Sequence, residues 1–169
     1  MYFITQLPLS NSFDSILIIV DRFSKIAVSI LTMSSITSLN LDHLFNKNIY
    51  SKHGLPSKIV IDKGSVFVSS FWTNFCQQLK ISRGLSTSHH SETDGKTERL
   101  NQILEQYLWI YIRIHQDDSN TWLPLAEFSY NNSDHSSTKQ SLFFTVYGRN
   151  SQLDSFHITQ DNLARKLST

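Results

Sequence analysis

Apolar residues recur along this chain at two different periods, and the changes of period divide it into elements. Residues 2–7, 13–20 and 25–31 are short runs rich in Ile, Val and Phe, separated by polar turns, which predicts three consecutive antiparallel strands. In "SLNLDHLFNKNIYSKHGLP" the period lengthens: Leu41, Leu44, Phe45, Asn48 and Ile49 fall at helical spacing, and Gly54 and Pro56 stop the run. "KIVID", residues 58–62, reads as a short buried strand, and the passage from helix back to strand predicts a crossover into a mixed sheet. A second helix is expected over about residues 69–80, then a strand at Ser82–Leu85, then the polar loop "STSHHSETDGK".

From Thr97 to about His115 the helical pattern is strong. Leu100, Ile103, Leu104, Tyr107, Leu108 and Tyr111 share one broad face, with Glu98, Gln102, Glu105, Trp109 and Arg113 opposite. Further helices are expected over about 121–132 and 141–147. Residues 151–169 have weaker periodicity and read as a weakly structured extension of a single domain over residues 1–150. The element order β-β-β-α-β-α-β-α-α-α describes an α/β fold, a mixed five-stranded sheet flanked by helices.

Composition changes this picture little. The chain of 169 residues is 40% apolar and 17% charged, ordinary for one domain with a full core. No apolar run approaches the ~18 residues of a membrane span, and the first residues lack a signal-peptide layout. The lone cysteine, Cys76, shares a helical stripe with Phe71, Trp72, Phe75 and Leu79, so it reads as a small core residue and points to a reducing compartment. Net charge is only +1, so any nucleic-acid contact must rest on local positive charge, on bound metal or on further domains.

Two acids are placed for chemistry. Asp62 closes "KIVID" and precedes Lys63-Gly64-Ser65; Glu98 lies in the first turn of the long helix, after Asp94-Gly95. Acids on a strand end and a helix start can converge at one sheet edge, where hard oxygens hold Mg²⁺ ions for phosphoryl transfer. Each also has a plain structural reading: Asp62 as a turn cap, Glu98 as a capping or dipole-favoured acid. His89 and His90 have no further Cys or His pair at zinc spacing. Asn131-Asn132-Ser133 matches a glycosylation sequon but reads better as a helix end.

Four segments carry a more specific signal: "FITQLPLSNSFDSILIIVDRFSK", "LFNKNIYSKHGLPSKIVIDKGSVFVSSFW", "STSHHSETDGKTERLNQILEQYL" and "LPLAEFSYNNSDHSST". In this order they resemble the retroviral-type integrase catalytic core of gypsy-type LTR retrotransposons, over residues 1 to about 150. The resemblance implies an RNase H-like fold whose Asp-Asp-Glu triad binds two Mg²⁺ or Mn²⁺ ions. It implies trimming of element cDNA ends and their joining to target DNA by attack of a 3′-hydroxyl. The implied setting is the nucleus, reached from the cytoplasm, with DNA as partner, RNA as a secondary candidate, homo-oligomeric assembly and no membrane.

Carried over by motif, the second acid is Asp62 in "IDKGSVF" and the third is Glu98 in "TDGKTERLNQ", both also metal ligands. Lys96, Arg99, Gln102 and Trp109, around Glu98 and along its helix face, are the candidate nucleic-acid contacts, Trp109 by stacking on a base; Lys96 and Arg99 read equally as solvated surface charge, and Trp109 equally as drift or as a residue packed against further protein. The first acid belongs directly before "FITQLP", and that position is Tyr2. A phenol ionises only near about pH 10 and offers one oxygen where a carboxylate would bridge two metals. Asp21, at the far end of the second strand, and Asp14, at the hairpin turn, read as structural acids rather than substitutes.

His90-Ser91-Glu92 also departs from the family's His-Pro-Gln, loosening the loop before the helix and adding a negative charge. These departures imply an impaired copy, and Met1 at this place is consistent with a piece of a polyprotein. The alternatives are a non-enzymatic remnant or domesticated interaction module of the same fold, and a nuclease such as an RNase H.

Overall fold

The computed structural model describes residues 1–61, 67, 69–85, 106, 119–135 and 139–152. Its strands are β1 (Tyr2–Ile4), β2 (Ser15–Val20), β3 (Ala27–Thr32), β4 (Lys58–Ile61) and β5 (Ser82–Leu85). The helices are α1 (Ser38–Phe45), α2 (Ser51–His53), α3 (Ser70–Gln78), α4 (Ser119–Asn132) and α5 (Leu142–Tyr147). A π-helical turn, Asn46–Tyr50, joins α1 to α2.

The first three strands form an antiparallel meander in the order β1-β2-β3, with Tyr2 opposite Ile18 and Ala27 opposite Val20. β4 and β5 form a separate parallel pair, Ile59 opposite Arg83. The expected five strands are therefore present as three plus two. A hydrogen bond crosses between them: the Met1 amino nitrogen donates to the Val60 carbonyl oxygen at 2.6 Å, setting the start of β1 beside β4.

Strand limits follow local backbone chemistry. β1 stops at Ile4, short of the expected residue 7, because Gln6 adopts φ 62° and Pro8 has no N–H to pair. β2 starts two residues later than expected because Phe13 and Ser10 bond each other across a tight turn. β3 likewise starts at Ala27, after Lys25 turns with φ 68°.

Helix ends obey capping rules. The Thr37, Ser69 and Ser141 hydroxyl oxygens accept from the backbone amides of Asn40, Trp72 and Phe144, opening α1, α3 and α5. Gly54 (φ 78°) and Gly148 (φ 70°) end α2 and α5 in conformations that favour glycine. α4 begins at Ser119, two residues before its expected start, and carries Pro124 within it. The long helix expected over residues 97–115 lies outside the described residues, apart from helical Gln106.

Because strand side chains alternate, β2 feeds two cores. Ile16 and Ile18 join Ile4, Ala27, Leu123, Ala126, Tyr130 and Leu142 on the face covered by α4 and α5. Leu17 points the other way, into Leu41, Phe45, Ile59, Ile61, Phe67, Trp72 and Cys76 against α1 and α3. Cys76 is fully buried there, and burial raises its thiol pKa, which makes it an inert core residue as its stripe suggested.

Candidate active site

The position of Tyr2 is set by three strands' worth of contacts. β1 pairs with β2 through Tyr2, Phe3 and Ile4, and the bond from Met1 to Val60 places it one residue from the C-terminal end of β4. Alternation then divides the strand: Phe3 faces the aromatic core, while Tyr2 is half-buried and packs against the aliphatic core under α4.

The "IDKGSVF" motif begins at Ile61, the last residue of β4, and ends at Phe67. Both are fully buried. The Phe67 ring stacks on Phe3 with centroids 5.0 Å apart, and its carbonyl accepts from Arg83 Nη1 at 3.3 Å. Val60 and Phe67 thus each contact the chain at residues 1–3. Asp62 itself lies outside the described residues, as do Glu98, Lys96, Arg99, Gln102, Trp109, His89, His90 and Glu92. Among the described residues no group of three His, Cys, Asp or Glu could hold a metal ion.

Asp21 and Asp14 are both described, and both have structural employment. The Asp21 carboxylate accepts from the Ser24 amide and the Ser24 hydroxyl, each at 2.7 Å, in the turn joining β2 to β3. Burial works against its charge, but those two bonds and nearby Lys25 prevail and hold its pKa below the usual value. Asp14 accepts from the Ser34 hydroxyl (2.7 Å), the Ser34 amide (2.6 Å) and the Ser15 hydroxyl (3.0 Å), which lowers its pKa too. Both carboxylates are thus engaged by nearby serines.

The structure also shows polar residues that pattern reading passed over. Asn131 and Glu127, on α4, bond the backbone of β3: Ala27 N–H donates to Asn131 Oδ1 (2.9 Å), Asn131 Nδ2 donates to the Ala27 carbonyl (2.8 Å), and Ser29 N–H donates to Glu127 (2.5 Å). Burial pushes the Glu127 pKa up, partly offset by the bonds from Ser29 and by the Lys52 charge. The available signal was an acid and an amide four residues apart among apolar residues of one helix, in "LAEFSYNN". With Asn131 buried in this contact, the sequon at 131–133 is part of a helix end, as its sequence reading held.

The class of fold is set by solved structures. The chain superposes on the simian T-cell lymphotropic virus intasome in complex with the PP2A regulatory subunit B56 gamma with a TM-score of 0.65 and 19% identity, covering 85% of this chain and 52% of that one. The HTLV-2 integrase catalytic core domain, in complex with magnesium in a trimeric form, gives a TM-score of 0.60 and 19% identity, covering 83% of this chain and 97% of that domain. These define an integrase-core, RNase H-like fold.

Sequence then narrows the class. Over 150 residues, 87% of its length, the chain is 34% identical to the Tf2-3 and Tf2-4 transposon polyproteins of Schizosaccharomyces pombe. The chain thus matches a segment of these retrotransposon polyproteins and has the fold of an integrase catalytic core. It spans 11% of the length of those polyproteins. No family profile matches the chain.

Proposed function

We infer that this chain is the integrase catalytic domain of an LTR retrotransposon polyprotein, built for metal-dependent joining of element cDNA to target DNA and impaired at its first acid. The observation that carries this reading is the identity and setting of Tyr2. It occupies the β1 position directly before "FITQLP", next to Met1, whose amino nitrogen bonds Val60 of β4, the strand that Asp62 follows in the sequence. The same hydrogen bond supports reading the two sheets as one five-stranded mixed sheet. In that sheet β1 and β4 lie side by side and their ends form the catalytic edge.

Divalent Mg²⁺ or Mn²⁺ would supply Lewis acidity at the reacting phosphate, held by carboxylates at all three motif positions. The residue at the first position does not fit that role: a half-buried phenol packed on aliphatic side chains is a single neutral oxygen. Asp62 and Glu98 are the remaining acids of the set. Lys96, Arg99, Gln102 and Trp109 are the proposed contacts to DNA, with RNA as a secondary partner. Oligomeric assembly and a nuclear site of action complete the reading.

A second reading is a non-enzymatic module of the same fold. The packing of Tyr2 favours it, because that ring contributes to a core that an acid there would not fill. Joining of a short duplex into target DNA, with Mg²⁺ or Mn²⁺, separates the two. The parent chain is expected to be inactive and Tyr2→Asp to gain joining that Glu98→Gln abolishes. Joining by the parent chain that Glu98→Gln abolishes would contradict the impairment, and cleavage of an RNA–DNA hybrid instead would point to a nuclease.

A further inference from the structure

β3 is the outer strand of the meander and carries the sequence "AVSILT", with neither charge nor proline. Such an edge is a ready template for another strand unless something covers it. Its backbone groups alternate, so every second residue presents its N–H and C=O away from β2. Ala27 and Ser29 are two such residues, and α4 side chains meet both amides.

The match is one of repeat lengths. Two residues of strand advance about 6.6 Å and four residues of helix about 6 Å. Glu127 and Asn131 therefore reach Ser29 and Ala27 in turn, with α4 running opposite to β3. Asn131 satisfies both backbone groups of Ala27, donor to carbonyl and acceptor to amide, as a neighbouring strand residue would. Glu127 meets the Ser29 amide alone.

We propose that α4 serves as a surrogate edge strand for β3, through Asn131 and Glu127, and that this cover keeps β3 from pairing with the β3 edge of a second copy. An amide side chain imitates a peptide group with both its donor and its acceptor, which is why asparagine holds the fully bonded position. The second copy is the occupant the edge itself specifies. An uncharged strand can pair antiparallel with its own copy, meeting no like charges across the interface. The proposal concerns the fold's outer edge and stands whether or not the chain joins DNA.

Amide hydrogen exchange and sedimentation on the whole chain test it. In Asn131→Ala/Glu127→Ala at low concentration, exchange at Ala27 and Ser29 should accelerate by about tenfold or more, while Ile16 and Leu17 keep their protection. At high concentration the same two amides should regain protection as a larger species appears. Asn131→Leu keeps the side chain's volume but offers the Ala27 amide no acceptor. It guards against loss of folding in the double variant and should accelerate Ala27 exchange alone, with Ser29 unaltered. Unchanged exchange at Ala27 in Asn131→Leu would overturn the surrogate-strand assignment. A double variant that exposes both amides yet sediments as the parent does at every concentration would overturn the role against self-pairing.

Discussion

The two faces of the β1-β2-β3 sheet are held by different physics. Towards α1 and α3 the core is almost wholly aromatic and aliphatic. Trp72 is fully buried, 5.7 Å from the Phe45 ring and 5.3 Å from Phe75, and Phe3 stacks on Phe67. Towards α4 the core is aliphatic but stitched by polar side chains at the β3 edge, and Tyr2 packs into it. The hydrocarbon face depends on filled volume; the stitched face depends also on side chains that pair the β3 backbone. Residue 2 lies on the second face, where its ring adds contact area to the aliphatic core.

Trp72→Ala should have the largest effect, because it empties the centre of the hydrocarbon face. A loss of about 3–5 kcal/mol is expected in denaturant unfolding. A loss below about 1 kcal/mol would mean that the ring stack does not organise this face. Asn131→Ala should come next. It strands the buried amide and carbonyl of Ala27, at a cost of about 2–3 kcal/mol by the same measurement. An equal cost for Asn131→Asp and Asn131→Ala would show that the lost carbonyl partner, not the amide's, carries the stitch.

The smallest effect is one of pH. Glu127 is held above the ordinary carboxylate value by burial, so the folded state favours its protonated form. Its contribution to stability is fully present below the unfolded pKa and is lost as pH rises through the raised folded value. Glu127→Gln keeps an oxygen for the Ser29 amide and has nothing to titrate. Its stability should be flatter with pH than the parent's across that window, read from thermal unfolding at a series of pH values. An identical slope would place the titration elsewhere.

Most elements were legible because each has a local physical marker. Gly54, Gly148 and the Ser and Thr caps announce helix ends, and β2 and β3 announce themselves by β-branched runs. Strand lengths were overstated where backbone conformation, not hydropathy, ends the pairing, as at Gln6 and Lys25. The three-plus-two division was not legible, since whether β1 pairs with β4 is decided between residues some 59 apart, which no local pattern reports. At the site, the motif gave Tyr2 its significance, while only packing shows which core it faces. The α4 stitch escaped pattern reading because hydropathy scores Glu127 and Asn131 as surface residues. Their burial follows from backbone groups on another strand.

Titration of Mn²⁺ into the folded chain tests the central claim most directly, because it interrogates the acid set without requiring DNA or any further domain. With tyrosine at position 2, Mn²⁺ should bind weakly, through the remaining acids. Tyr2→Asp should tighten binding by at least about tenfold and admit a second ion, and Asp62→Asn should reverse the gain. Tight binding of two ions by the parent chain, lost in Asp62→Asn, would contradict the account.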